Sequence, residues 1–60
     1  MSAEPDPVAL VAWALRLTER EARLMRMAHA REFARAADAG RVAWEREGKP
    51  DLAGDPRTWA

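Results

Sequence analysis

From Val8 onward the chain repeats its apolar positions in steps of three and four: Val8, Val11, Leu15, Thr18, Ala22, Met25 and His29 fall on one line. That period belongs to a helix with one buried face rather than to a strand. Pro5-Asp6-Pro7 marks the start, because Asp6 can accept from the free N–H groups of a first turn and Pro7 lacks the N–H that would go unused there. No Gly or Pro interrupts the stretch from Val8 to Ala39. Asp38-Ala39-Gly40 then reads as a stop, with Gly40 in the left-handed C′ position. The pattern predicts an all-α chain: one long amphipathic helix over about 7–39, a short second helix over about 41–47, and an irregular tail that begins at Gly48-Lys49-Pro50. A continuous helix over 7–39 would be about 50 Å long at ~1.5 Å per residue. Residues 1–60 form a single small helical domain in this reading, with 1–6 and 49–60 irregular or partly flexible.

One local signal competes with the long helix. Thr18-Glu19-Arg20-Glu21 has the spacing of a capping box, in which Thr18 caps the N–H of Glu21 and Glu21 reaches back to Thr18. If the helix breaks, it breaks near Thr18. The apolar phase runs through that point unshifted, which favours continuity, since a turn would ordinarily displace it.

On a helical projection the apolar residues fill an arc of roughly 200°, wider than the seam of a two-stranded coiled coil. One edge holds Leu10, Leu17 and Leu24, and the other holds Val8, Val11, Leu15, Met25 and Phe33, with His29 among them. A folded-back 41–47 segment would cover only one end of it, with Val42 and Trp44. Self-association into a helical dimer or bundle is therefore the expected remedy. Val8, Leu10, Val11, Leu15, Leu17, Leu24, Met25, His29 and Phe33 are its candidate interface. Met25 and Met27 bring two flexible thioethers together, which suits an imperfect core or an adaptable binding surface.

Composition sharpens this picture. The chain has 60 residues, 48% of them hydrophobic, but 14 are Ala, so its core is thin and an isolated domain of this size starts out marginal. Ten basic residues balance ten acidic ones. Along the chain the charges segregate: residues 1–15 are acidic, 16–35 carry six Arg against three Glu, and 36–60 return to a slight acidic excess. Absence of Cys excludes disulfides, thiolate metal sites and thiol chemistry. The acidic start lacks the basic region of a signal peptide, and the uncharged run from Pro7 to Leu15 is too short to span a bilayer, so a cytoplasmic location and no membrane partner are expected.

Catalysis fails on inventory. The chain has no Tyr, Asn or Gln, one Lys (Lys49), and hydroxyls only at Ser2, Thr18 and Thr58. Its closely spaced carboxylates, Glu19 with Glu21 and Glu45 with Glu47, stand two apart and face away from each other on a helix. His29 has no companion ligand. No enzyme activity, cofactor or metal is expected.

Three features point to partners instead. Arg16, Arg20, Arg23, Arg31 and Arg35 fall within about 80° on a continuous helix, a stripe able to contact successive phosphates or an acidic partner, or simply a solvated face on which Glu32 pairs with Arg35. Leu17-Thr18-Glu19-Arg20-Glu21-Ala22-Arg23-Leu24 resembles the opening of the helix-turn-helix in LuxR-type response regulators; no Gly-containing turn or matching recognition helix follows, so no functional residue is carried over. Trp59, in a polar tail, is a candidate partner anchor. The leading expectation is a small self-associating interaction protein acting as adaptor, regulator or accessory subunit. Alternatives are an oligomeric nucleic-acid-binding protein using the arginine stripe, and an antitoxin-like or phage-encoded inhibitor whose tail folds on its target.

Overall fold

A computed structural model describes residues 4–52, and among these the chain is all-helical with no strand. Three helices form: α1 over Pro7–Leu15, α2 over Glu19–Ala28 and α3 over Ala30–Arg46. The start of α1 matches the sequence reading: Asp6 accepts from the Val8 N–H at 2.8 Å, and Pro7 occupies the first turn.

The long helix expected over 7–39 is divided twice. At the first break Arg16 adopts the left-handed conformation (φ 57°, ψ 42°), and the N–H groups of Arg16 and Leu17 both donate to the Ala12 carbonyl, closing α1. The capping box then opens α2. Thr18 Oγ1 accepts from the Glu21 N–H at 3.0 Å, and Glu21 Oε1 accepts from the Thr18 N–H at 2.8 Å. Orphaned backbone groups on both sides of the turn thus find partners. Continuous apolar phase did not imply a continuous helix, because the turn returns Ala22 and Met25 to the same core that Val8 and Val11 enter.

A second break, unforeseen, falls at His29 (φ −139°, ψ 63°), which ends α2 and begins α3 without a side-chain cap. Its N–H donates to Met25 and its carbonyl accepts from Phe33, so one residue serves both helices. Arg26 spans the junction, its guanidinium 5.9 Å from the centroid of the Phe33 ring.

Gly40 does not stop a helix. It lies inside α3, which runs on through the segment expected to be a separate helix at 41–47. The reason is packing: a Cβ on Gly40 would sit 3.0 Å from the Leu10 carbonyl oxygen and 3.2 Å from the Ala14 Cβ. Gly is used here to let α1 and α3 approach closely. The actual stop is Gly48 (φ 86°), after which the Lys49 N–H donates to the Trp44 carbonyl.

The uncharged segment Pro7–Leu15 packs on both α2 and α3, its contact with α3 the more extensive, and α2 and α3 also pack on each other. One cluster joins Val8, Val11, Ala12, Ala22 and Phe33, with Leu17, Met25, Ala36 and Ala37 around it. The other joins Leu10, Trp44 and Leu52, flanked by Ala9 and Trp13. Trp44 Nε1 donates to the Pro50 carbonyl at 2.7 Å, which holds the segment after α3 against the core and seats Leu52. Folding back supplies the cover that the wide arc lacked, in a body of 31 × 20 × 20 Å. That fold covers part of the arc within one chain and leaves Leu15 and Leu24 of it exposed.

Candidate interaction surface

The nine residues read from the sequence as an interface divide into three groups. Val8, Leu10, Val11 and Phe33 are buried within the chain. Leu17 and Met25 are partly buried and pack against the core. Leu15, Leu24 and His29 are exposed, Leu15 at 47% and Leu24 at 55%. The thioether pair splits in the same way, with Met25 turned inward and Met27 81% exposed.

The split follows from the geometry of α2. Ala22 and Met25 lie three residues apart on the inner face. Leu24 and Met27, also three apart, therefore share the outer one, with Arg20 one turn before Leu24. Val42, the remaining large exposed apolar residue, lies on the outer side of α3 at 49%. The sequence reading gave Val42 a covering role instead. Only the inward turn of Phe33, Gly40 and Trp44 shows why it faces solvent.

The arginine stripe loses its straight backbone. Arg16 closes α1, Arg20 and Arg23 lie on α2, and Arg31 and Arg35 lie on α3; all five are exposed. Arg23 pairs with Glu19 one turn earlier, and Arg41 pairs with Glu4. The expected Glu32–Arg35 pair is not formed, and among the described residues Arg16, Arg20, Arg31 and Arg35 make no ion pair. Exposed pairs of this kind contribute about 0–1 kcal/mol each, so they set local charge more than stability.

Both carboxylates of α2 are engaged inside the chain. Glu19 meets Arg23, and Glu21 closes the capping box. The Thr18 backbone N–H, and secondarily the Thr18 side chain, hold the Glu21 carboxyl below its ordinary range, so it stays ionised where it is needed. The outer face of α2 consequently combines two exposed apolar side chains with an uncommitted Arg20, and exposed Arg16 and Arg31 lie just beyond the two ends of the helix.

Among the described residues no group of three His, Cys, Asp or Glu is placed to hold a metal ion. No described helix is long and apolar enough to cross a membrane. Trp59 lies outside the described residues, as does the whole stretch 53–60. No family model, no curated protein and no solved structure matches this chain.

Proposed function

We propose that this protein is a small helical interaction protein, an adaptor, regulator or accessory subunit with no catalytic chemistry of its own, and that it engages a partner polypeptide through the outer face of α2. The observation that carries this reading is the pairing of Leu24 and Met27 on one exposed face of a helix whose other face is already packed. Burial of a large aliphatic side chain contributes about 1.5–3 kcal/mol when complete, and less for Leu24, which is already half covered. Two such residues fall short of micromolar binding, which needs about 8 kcal/mol, so the neighbouring arginines and a complementary shape must supply the rest.

The test places a photo-cross-linking residue at Met27 in cells, with one at Glu45, an exposed position on α3, as control. A partner adduct from position 27, absent from 45 and lost when Leu24→Glu is added, supports the reading. Equal labelling from both positions contradicts it. Oligomeric mass across dilution identifies whether that partner is a second copy of the chain.

A second reading is favoured by Arg16, Arg20, Arg31 and Arg35, which make no ion pair among the described residues: contact with nucleic-acid phosphates. It predicts duplex DNA binding that weakens steeply with salt, and absence of binding at low salt excludes it.

A further inference from the structure

The outer face of α2 carries more information than its apolar character, because its charges are sorted. Glu19 is engaged by Arg23 and Glu21 by Thr18, whereas Arg20 on the helix, Arg16 before it and Arg31 after it make no ion pair among the described residues. Leu24 and Met27 share their face with Arg20, Arg16 and Arg31 flank the helix in sequence, and α2 itself has no free carboxylate.

Four occupants differ in how well they match that arrangement. A second copy docking α2 on α2 would bring the same arginines to the same seam, where neither carboxylate of that helix is free to meet them, and the exposed Val42 of its α3 offers one apolar side chain rather than a helical row. A lipid surface asks for a broad apolar face, and α2 exposes two large apolar side chains over a helix about 15 Å long at ~1.5 Å per residue. Nucleic acid would leave Leu24 and Met27 against phosphate and water, where their burial gains nothing. A partner helix with apolar residues at helical spacing and Asp or Glu on its flanks matches both the centre and the rim. Met27, flexible and polarizable, suits such an adaptable contact.

Resting on the proposed role of α2 as a docking face, we infer that its occupant is an acidic amphipathic helix of another protein. Leu24 and Met27 anchor it, and Arg16, Arg20 and Arg31 supply the complementary charge. The helix it recognises spans two to three turns, because α2 itself has 10 residues.

The experiment uses the whole chain and a fluorescein-labelled synthetic peptide with Leu at helical spacing and Glu on its flanks. Controls are a scrambled peptide of the same composition, a peptide with Lys in place of Glu, phosphatidylglycerol vesicles and a DNA duplex. The expected result is binding of the acidic peptide at least roughly tenfold tighter than of either control peptide. Met27→Glu should weaken it by roughly tenfold or more, and Arg20→Glu with Arg31→Glu should reduce both affinity and its salt dependence. Circular dichroism keeps the comparison to folded variants. Equal binding of the acidic and scrambled peptides overturns the proposal, as does Met27-sensitive binding of vesicles or duplex without the acidic peptide. Preferential, Met27-sensitive binding of the Lys peptide overturns the acidic occupant but leaves α2 as a docking face. Absence of peptide binding together with no cross-link from position 27 overturns both.

Discussion

Arg16→Gly should stabilise the protein, a sign that only a broken helix can give. Arg16 sits at φ 57° and ψ 42°, is exposed and makes no ion pair among the described residues. An L-residue in this conformation costs about 1–2 kcal/mol, and Gly escapes that cost. Against this stands the greater freedom that Gly gives the unfolded chain, about 0.4–1 kcal/mol. The balance is a gain of about 0.5–1 kcal/mol, or roughly 2–8 °C in Tm for a domain near this size. In a continuous helix the same substitution would cost about 1 kcal/mol, because Gly is that much poorer than Arg in a helix interior. Urea and thermal melts of the variant, with Arg20→Gly inside α2 as control, separate the two. Stabilisation at position 16 with destabilisation at 20 is expected. Equal losses at both positions would refute the turn between α1 and α2.

Gly40→Ala tests the crossing of α1 and α3. Helix propensity favours Ala by about 1 kcal/mol, but the new Cβ would meet the Leu10 carbonyl at 3.0 Å and Ala14 at 3.2 Å, and overpacking of this kind costs about 1–3 kcal/mol. We expect a net loss near 1 kcal/mol in chemical denaturation; a gain in stability would show that the helices do not meet there. Thr18→Ala should cost about 1 kcal/mol through the lost cap, measured as a lower urea midpoint, and an unchanged midpoint would deny the capping box. Glu21 has a lowered pKa in the folded chain, so its stabilising contribution is complete above the ordinary glutamate range and lost as pH falls through the lowered value. The stability gap between wild type and Glu21→Ala should therefore narrow in acid, and a gap that widens there would contradict the assignment. Leu52→Ala should cost about 2 kcal/mol and speed amide exchange around Trp44, whereas no effect would mean that the segment after α3 is not docked.

The all-helical class, the start at Asp6-Pro7 and the end at Gly48 were legible because each rests on local chemistry: a cap, a missing N–H, a left-handed residue. The break at Thr18 was half legible. Its capping box stood in plain view, yet the unshifted apolar phase outweighed it, since periodicity reports which face is buried and is blind to a turn that restores that face. The break at His29 had no local sign. It is imposed by tertiary packing, where Met25 and Phe33 on either side both turn toward α1. Gly40 was misread for a related reason. A glycine after Asp-Ala looks like a helix end, and its role as a contact point depends on Leu10, thirty residues earlier in the chain.

The same limit governed the candidate surface. Helical projection of a single rod placed Val8, Leu10, Val11 and Phe33 beside Leu24 as one interface, but folding consumed the first four and left Leu24 outside. Met27 was legible only as a member of a thioether pair. Its exposure follows from the rotation of α2 that Ala22 and Met25 set by packing inward. The uncommitted charge was legible in number, as an arginine excess over 16–35, but its uncommitted state depends on how Glu19 and Glu21 are used.

The central claim is that the chain closes on itself, with α1 against α3, and so leaves the outer face of α2 available. The most direct measurement is a spin-label distance between Glu4→Cys and Ala39→Cys, feasible because the chain has no native Cys, with the labelled protein diluted into unlabelled chain. Glu4 meets Arg41, two residues beyond Ala39, so the account predicts a single distribution well inside the 31 Å long axis of the molecule. A distribution centred near the ~50 Å of an unbroken helix would contradict it.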